Sequence, residues 1–378
     1  MSSSEQTSVG QSVTAGEPEL NKFFRAAVKM RASDVHLKVG QPAKLRIEGE
    51  LKSTTGEALT EQKMEKLTFE VLTDEQKRHF LEHGTFDFAY GLTEDERFRV
   101  NIFRQRGLIS LCARRVNIVI PSLGELHLPA ILTKIADGPQ GLVLVVGPTG
   151  CGKTTTAVSM VDHINATVSC HIVTIEDPIE YLIKDKKAIV SQREIGIDVD
   201  DFEQALRYLM REDPDIVFIG EVRDAKTVAA GMRAAETGHL VFGTIHAANC
   251  AQTVQRLIDL FPEKERNLAR QTLSLTIRSI ISQILLPSVK EGVGRIPAVE
   301  VLLANSEARK LISEQREADL PNLIRSCREE GMLDITDSLR DLIIDGSVEA
   351  REAYKHAPNP DELKMALKGI RADTGGIL

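Results

Sequence analysis

The sequence predicts an α/β protein with two domains, and three observations support this prediction. The chain has 378 residues, which is more than one ordinary hydrophobic core accommodates. From residue 141 onward, short apolar runs alternate with helical patterns, as in a parallel sheet that is covered by helices. The first run leads into a segment that matches the phosphate-binding pattern G-x-x-x-x-G-K-[ST], namely Gly147-Pro148-Thr149-Gly150-Cys151-Gly152-Lys153-Thr154.

The composition indicates a soluble globular protein. Apolar residues make up 42% and charged residues 27% of the chain, and the formal net charge is −8. The negative charge argues against a constitutive grip on nucleic acid, because nucleic-acid-binding domains usually carry a basic face. No stretch reaches the ~20 apolar residues of a membrane span, and residues 1–20 lack the features of a signal peptide. We therefore expect a cytoplasmic protein without a membrane span and without bound nucleic acid.

The N-terminal part predicts a disordered tail and then a compact α+β domain. Residues 1–18 are rich in small and polar residues and contain little that could be buried. Residues 19–117 alternate between helical and strand patterns. The expected helices are 20–28, 59–72 and 74–81, and the expected strands are 34–39, 43–47, 86–90, 97–104 and 108–116.

The strand predicted at residues 97–104 has an unusually basic polar face. Arg97 and Arg99 share one face, while Phe98 and Val100 share the other. An ordinary solvated sheet face explains this pattern, but arginines can also reach the γ-phosphate of a nucleotide across a domain or subunit boundary. The residues alone leave both interpretations open. Further arginines follow at Arg104, Arg106, Arg114 and Arg115.

The rest of the chain predicts a connector, a nucleotide-binding domain and a helical end. We expect a connector at residues 118–138, the domain at residues 139–305, a helical region at residues 306–372 and a tail at residues 373–378. The expected strands are 142–146, 171–175, 188–190, 216–220, 240–244, 280–286 and 297–302. The expected helices are 153–164, 202–210, 225–236, 251–260, 319–330, 335–344, 348–356 and 361–370.

The glycine-rich loop is expected to bind the phosphates of ATP. Its glycines permit a tight turn in which several backbone N–H groups point at one anion, and the following helix directs its positive end to the same place. Lys153 should contact the β- and γ-phosphates, and the hydroxyl of Thr154 should hold Mg²⁺. The expected ATP-binding residues are Gly147, Pro148, Thr149, Gly150, Cys151, Gly152, Lys153, Thr154 and Thr155.

Two glutamates follow neighbouring predicted strands, at the sheet edge where α/β proteins gather catalytic groups. The aspartate that usually follows the metal-binding strand is replaced by Gly220, so Glu221 is the candidate Mg²⁺ contact, directly or through water. Glu176 is then the candidate for orienting the attacking water, with Asp177 as an alternative. The division of roles between Glu176 and Glu221 stays open.

Two histidines bracket the strand predicted at residues 240–244. A lone histidine is more often structural than catalytic, but the position of His246 at the catalytic edge favours a role in sensing the γ-phosphate. His239 is equally compatible with a structural role. The spacing along a strand separates the two side chains too far for them to share one metal ion.

Four motifs together resemble those of the secretion ATPases, and specifically of the retraction ATPases of type IV pili. Residues 31–36 (Arg-Ala-Ser-Asp-Val-His) resemble the start of that family's N-terminal domain, and residues 175–180 (Ile-Glu-Asp-Pro-Ile-Glu) resemble its Asp box. Residues 220–224 (Gly-Glu-Val-Arg-Asp) resemble its atypical Walker B motif, and residues 237–246 (Thr-Gly-His-Leu-Val-Phe-Gly-Thr-Ile-His) resemble its His box. The resemblance covers about residues 20 to 370.

This resemblance implies a PAS-like N-terminal α+β domain, a RecA-like P-loop ATPase domain and a helical C-terminal region. It implies a homohexamer that hydrolyses ATP with Mg²⁺ and removes pilin subunits from a pilus by way of a platform protein in the inner membrane. The protein would lie in the cytoplasm at the pilus base. The resemblance also implies that Arg99 and Arg114 act as arginine fingers toward bound ATP.

Motors of the same family that assemble pili or drive type II secretion are the first alternative. Those proteins commonly carry a longer N-terminal region and a four-cysteine zinc insert, which this sequence lacks. The retraction branch typically shows A-I-R-N-L-I-R-E, and residues 307–314 (Glu-Ala-Arg-Lys-Leu-Ile-Ser-Glu) match it in part, which leaves room for an accessory retraction paralogue. A nucleic-acid motor is a further alternative that the acidic net charge disfavours.

Overall fold

A computed structural model describes residues 16–47, 49–93 and 96–369, and it divides into two compact units at residues 1–116 and 117–378. Most of the tail expected at residues 1–18 and all of the tail expected at residues 373–378 lie outside the described residues. The last residue of the helix expected at residues 361–370 also lies outside them. Among the described residues, every helix is too short or too polar to cross a membrane.

The first unit is a six-stranded antiparallel sheet with three helices, in the strand order β3-β2-β1-β6-β5-β4. The helices are α1 (Asn21–Lys29), α2 (Glu61–Phe69) and α3 (Asp74–His83). The strands are β1 (Asp34–Lys38), β2 (Lys44–Ile47), β3 (Glu50–Ser53), β4 (Thr85–Thr93), β5 (Glu96–Gln105) and β6 (Leu108–Arg115).

Strand β5 illustrates how alternation in the sequence builds this unit. Phe98, Val100 and Ile102 are fully buried in the core that the helices cover, so their neighbours in sequence point to the other face of the sheet. Helix α3 begins with a capping box between Thr73 and Gln76, which satisfies two backbone N–H groups at the helix start.

The second unit contains a seven-stranded sheet in the order β13-β12-β7-β11-β10-β8-β9. Neighbouring strands are parallel from β12 to β9, and β13 runs antiparallel to β12 at one edge. The strands are β7 (Gly141–Val146), β8 (His171–Glu176), β9 (Ile189–Glu194), β10 (Ile216–Ile219), β11 (Leu240–Ile245), β12 (Ile277–Pro287) and β13 (Arg295–Leu303).

Helices cover both faces of this sheet, which explains why every residue of β7 is buried. Leu144 packs in the core on one face, and Val143 and Val145 pack in the core on the other. The α-helices are α4 (Ile131–Ala136), α5 (Lys153–Thr167), α6 (Phe202–Leu209), α7 (Ala225–Glu236), α8 (Cys250–Asp259), α9 (Arg266–Thr276), α10 (Ser306–Ser313), α11 (Leu320–Ser326), α12 (Ile335–Ile344), α13 (Ala350–His356) and α14 (Pro360–Leu367).

Two segments differ from the expected organisation. Residues 118–138, expected as a connector, contain α4, and Leu132 and Ile135 are buried in the same core as β7. The helices of the region expected from residue 306 belong to two different hydrophobic clusters. Helices α10 and α11 pack into the core of the sheet, whereas α12 to α14 surround a smaller apolar cluster that includes Leu286 and Leu339.

Candidate nucleotide-binding site

The strands of the second unit bring four predicted motifs to one edge of the sheet. In the parallel register, Val146 of β7 lies beside Ile245 of β11, and Ile219 of β10 lies beside both Gly243 and Ile175. The glycine-rich loop, the two glutamates and His246 lie at or within two residues of the ends of β7, β8, β10 and β11, so they converge at a common edge. This edge is where parallel α/β sheets bind ligands.

The conformation of the loop explains its glycines. Gly147, Gly150 and Gly152 have φ values of 148°, 77° and 88°, which L side chains rarely adopt. A Cβ atom on Gly147 would lie 2.3 Å from the backbone oxygen of Gln283 on β12, and one on Gly152 would lie 3.0 Å from the Nε2 atom of the same residue. The loop therefore needs glycine both for its turns and for its close contact with β12.

Lys153 is the first residue of α5 and its side chain is folded back over the loop. Its Nζ donates hydrogen bonds to the carbonyl oxygens of Gly147 (3.1 Å) and Pro148 (3.0 Å), and lies 3.3 Å from Nδ1 of His246. Burial lowers the pKa of Lys153. The ammonium group thus lies at the centre of the loop, where a phosphate would meet it.

His246 connects Lys153 with Glu221. Its Nε2 lies 3.1 Å from Oε1 of Glu221, while its Nδ1 faces the ammonium group. Because an ammonium group can only donate, Nδ1 accepts and Nε2 carries the hydrogen that is donated to the carboxylate. The geometry therefore assigns one tautomer to His246 and fixes its ring between the two charged groups.

Glu221 is engaged on both carboxylate oxygens. Oε2 accepts hydrogen bonds from Nε (2.9 Å) and Nη2 (2.6 Å) of Arg223, and Oε1 faces His246. Partial burial by itself would raise the pKa of Glu221, but the hydrogen bonds and charge of Arg223 outweigh it and lower the pKa. Arg223 also lies 3.3 Å from Asp177, so this alternative carboxylate is held in an ion pair.

Glu176 ends β8 and is almost completely buried, with 1% of its surface exposed. Its Oε1 accepts hydrogen bonds from the Thr174 hydroxyl (2.7 Å) and from Nε2 of Gln192 (3.0 Å). Its Oε2 is buried without a hydrogen-bond partner among the described residues. Burial raises the pKa of Glu176 to about 7. The carboxyl group can therefore both hold and release a proton near neutral pH.

Most of the predicted residues of the second unit line one cavity of about 730 Å³, whereas Gly147, Pro148 and Cys151 are not in its lining. A cavity of this size is typical of a small-molecule site. Glycine contacts that exclude a Cβ atom and the central ammonium group of Lys153 fit the triphosphate of ATP, and the unpaired buried oxygen of Glu176 can accept a hydrogen bond from water. The predicted residues in its lining are Thr149, Gly150, Gly152, Lys153, Thr154, Thr155, Glu176, Glu221 and His246.

A metal ion at this site would depend on the nucleotide. Thr154 and Glu221 both line the cavity, but the described part of the chain contains no group of three or more histidine, cysteine, aspartate or glutamate side chains that could hold a metal. Mg²⁺ is commonly bound by one or two protein ligands together with phosphate oxygens and water. The residues present fit that mode of binding.

Arg99 and Arg114 belong to the first unit, and the other predicted site residues belong to the second. The two arginines lie directly opposite each other on β5 and β6. Arg114 donates to Oδ1 of Asp34 (2.9 Å), and Nε of Arg99 lies 4.0 Å from Asp87. The side chain of Arg114 is 76% exposed and that of Arg99 is 43% exposed.

Three site residues escaped the sequence analysis. Gln283 accepts a hydrogen bond from Thr156 (2.8 Å) and donates to the backbone oxygen of Cys151, so it holds the loop from β12. Gln192 supports Glu176, and the Tyr181 hydroxyl lies 3.0 Å from that of Thr155. The one available signal was the side-chain amide of Gln283 within the largely apolar run at residues 280–286.

His239 lies at the C-terminal end of α7 in the second unit. Its Nδ1 lies 2.9 Å from the carbonyl oxygen of Ala234 and 3.1 Å from the hydroxyl of Thr237, at the end of α7. The first contact provides a hydrogen-bond partner for a backbone carbonyl oxygen in the last turn of α7. The two histidines of the motif therefore serve different elements.

Comparison with known proteins agrees with this geometry. A family model described as "Type II/IV secretion system protein" matches residues 11–355. Over 343 residues the chain is 36% identical to the "Type IV pilus retractation ATPase PilT" of Pseudomonas aeruginosa, covering 91% of this chain and 99% of that protein. It is also 36% identical over 350 residues to the "Type IV pilus ATPase PilU" of the same organism, covering 93% of this chain and 91% of that protein.

A solved structure gives the same result at the level of the fold. The crystal structure of "the Pilus Retraction Motor PilT and Bound ADP" superposes with a TM-score of 0.85 at 40% sequence identity, and the match covers 92% of this chain and 99% of that one. The family model matches most of the sequence, and the two relatives are similar to it over nearly their full length. The chain therefore belongs to the family of Type II/IV secretion system proteins.

Proposed function

We propose that this protein is a hexameric, Mg²⁺-dependent ATPase that drives the retraction of type IV pili. The observation that carries the proposal is the cavity in which a phosphate-binding loop meets a buried carboxylate with one unpaired oxygen. Pilus retraction is proposed as the biological process because the chain is similar to a pilus retraction ATPase over nearly its full length. Hydrolysis would be converted into movement of the pilus machinery, which removes pilin subunits.

Five residues of the cavity have proposed roles in hydrolysis. Lys153 neutralises the β- and γ-phosphates, and the hydroxyl of Thr154 binds Mg²⁺. Glu221 contacts the ion through water, because both of its oxygens already accept hydrogen bonds. Glu176 takes the proton of the attacking water, since a pKa of about 7 suits a general base at neutral pH. His246 reports the γ-phosphate through its contact with Lys153.

The organisation of the protein is part of the proposal. Residues 19–117 would be a PAS-like domain and the second unit a RecA-like ATPase domain with added helices. In a ring of six copies, Arg99 and Arg114 would act as arginine fingers toward ATP; their exposure on adjacent strands supports this role. The ring would lie on the cytoplasmic side of the inner membrane and contact a platform protein of the pilus base.

Motors of the same family with other tasks are the alternative. Equal identity to PilT and to PilU leaves the choice between a principal and an accessory pilus motor to experiment. An assembly or secretion motor would use the same cavity for the opposite movement. Strong stimulation of ATP turnover by DNA or RNA would instead indicate a nucleic-acid motor.

Deletion of the gene tests the proposed process. Loss of a retraction motor should leave cells with more surface pili, because assembly continues without removal. Counting of pili by electron microscopy should show this excess, and expression of the unsubstituted chain should reverse it. Expression of the Lys153→Ala variant should not. Cells without any pili after the deletion would identify an assembly motor and contradict the proposal.

A further inference from the structure

Gln192 lies beside Glu176, and both the nitrogen and the oxygen of its side-chain amide form hydrogen bonds. The register of β9 with β8 places Gln192 opposite Thr174. Its Nε2 donates to Oε1 of Glu176 (3.0 Å) and to the carbonyl oxygen of Tyr181 (2.9 Å), while its Oε1 accepts from the backbone N–H of Ile183 (2.7 Å). The backbone donor fixes which end of the amide is oxygen. The orientation of Gln192 is therefore determined by its surroundings.

The two side-chain donors to Glu176 converge on one oxygen. Thr174 and Gln192 both donate to Oε1, at 2.7 Å and 3.0 Å. Oε2 has no hydrogen-bond partner among the described residues, although it is buried. Glu176 also lines the cavity of the phosphate-binding loop. This asymmetry sets the rotation of the carboxyl group and leaves Oε2 to receive a proton.

Gln192 also links Glu176 to the phosphate-binding loop. The carbonyl oxygen of Tyr181 accepts from Gln192, and the hydroxyl of Tyr181 lies 3.0 Å from that of Thr155 in the first turn of α5. Lys153 begins the same turn. One side chain thus couples the position of the carboxyl group to the position of the loop, without itself lining the cavity.

We propose that Gln192 is a positioning residue for ATP hydrolysis, which holds Glu176 by Oε1 so that Oε2 accepts the proton of the attacking water. This inference rests on the proposed ATPase function. In the step, the water oxygen bonds to the γ-phosphorus and the bond from this phosphorus to the β,γ-bridging oxygen breaks. The electron pair of the broken bond leaves with ADP, and one proton of the water goes to Oε2.

The same contacts set when Glu176 is ionised. Burial is the largest influence and raises its pKa, while the donors Thr174 and Gln192 lower it; nearby Glu180 lowers it through its backbone N–H and raises it through its charge. Removal of either side-chain donor should raise the pKa further, because donors stabilise the ionised form. The other charged or titratable groups around Glu176 are Lys153, Asp177, Glu194, Glu221 and His246.

The test measures the pH dependence of single-turnover ATP cleavage by the full-length chain. Gln192→Met and Thr174→Val are compared with the unsubstituted protein from about pH 5 to about pH 9. We expect the acid limb of the profile to move to higher pH by about one pH unit in each variant. Thr174→Ser keeps the hydroxyl and should leave the limb in place. So should Gln271→Met, which alters an exposed glutamine on α9.

The pH at which the acid limb lies distinguishes a positioning role of Gln192 from a general effect on folding. A general loss of packing would lower the cleavage rate without changing the pKa that sets the limb. A limb that stays in place in both Gln192→Met and Thr174→Val would overturn the inference, whatever their plateau rates. Absence of ATP cleavage by the unsubstituted protein at every pH would overturn the proposed function instead. The two failures are therefore distinguishable in one experiment.

Discussion

The Nδ1 atom of His246 lies 3.3 Å from the Nζ atom of Lys153, and the opposite ring nitrogen lies 3.1 Å from Glu221. The histidine thus connects the cation of the phosphate-binding loop to the carboxylate that follows β10. A phosphate that attracts Lys153 would alter this contact, and the change would reach Glu221 through one rigid ring. This arrangement is a direct route from bound phosphate to the side of the cavity that is proposed to bind Mg²⁺.

Replacement of His246 by asparagine should reduce ATP turnover about 10-fold or more, because the shorter amide cannot contact Lys153 and Glu221 together. Steady-state turnover and the melting temperature check this result. His163→Asn is the matched control, since His163 forms an exposed contact with Asp137 (2.8 Å). Equal turnover in both variants would remove His246 from the mechanism.

Replacement of Gly147 by alanine should destabilise the second unit. The new Cβ would lie 2.3 Å from a backbone oxygen of β12, in addition to the unfavourable φ. Gly292→Ala is the control, because Gly292 also has a positive φ of 77° but no atom within 4 Å. We expect the free energy of unfolding to fall by about 1–3 kcal/mol more for Gly147→Ala. Circular dichroism can follow the unfolding, since the chain lacks tryptophan; similar losses in both variants would refute the close contact.

Glu176 should make stability depend on pH. Its pKa is raised from 4.5 to about 7 in the folded protein, so the folded state binds more protons than the unfolded state between these values. Its contribution to stability is therefore complete below pH 4.5 and is lost as the pH rises through 7. Glu176→Gln should remove this loss.

Relative to the unsubstituted protein, the Glu176→Gln variant should gain up to about 3 kcal/mol of unfolding free energy as the pH rises over that interval. Denaturant unfolding at several pH values measures the difference, and its slope is informative even if the amide adds a constant cost. Glu291→Gln, on a surface loop, is the control substitution. A flat difference for Glu176→Gln would mean that the carboxyl group is ionised throughout.

Arg99→Ala should lower the ATP turnover of the assembled protein at least about 10-fold if Arg99 acts as an arginine finger. The melting temperature should stay the same, because the side chain is 43% exposed and its ion pair with Asp87 is long, at 4.0 Å. Arg25→Ala, an exposed arginine of the same unit, is the control. Unchanged turnover in an intact assembly would return Arg99 to an ordinary surface role.

Strong local patterns in the sequence predicted most of the fold. The alternation in β5 and the apolar run of β7 were both expected, and the structure contains them. Strand β3 was missed because each of its residues is exposed, so it carries no apolar pattern. Helix α4 was missed because it is only six residues long.

Helix α9 shows why other elements could not be predicted. Its buried face includes Arg270, while Leu268 and Leu275 are 72% exposed, so its pattern is misleading. Arg270 is buried because the carbonyl oxygen of Ile312 and the carboxylate of Glu317 lie beside it. Those partners come from more than 40 residues away in the chain, a contact that a single sequence does not reveal.

The site shows the same contrast. Residues with a motif, such as Lys153 and Glu221, could be named from the sequence because their chemistry and spacing are distinctive. Gln192 and Gln283 could not, because an amide acquires its role from strands that become neighbours only in the folded sheet. The supporting contacts of a catalytic group therefore had to come from the structure.

The most direct test of the account is the retraction rate of fluorescently labelled pili in living cells whose only copy of this chain carries Lys153→Ala. The account predicts that pili still form and that their retraction is lost, while the variant is present at the normal level. The lysine is the central cation of the loop, so no other residue of the loop can replace it. Retraction at the unsubstituted rate would contradict the claim that ATP hydrolysis at this loop drives the process.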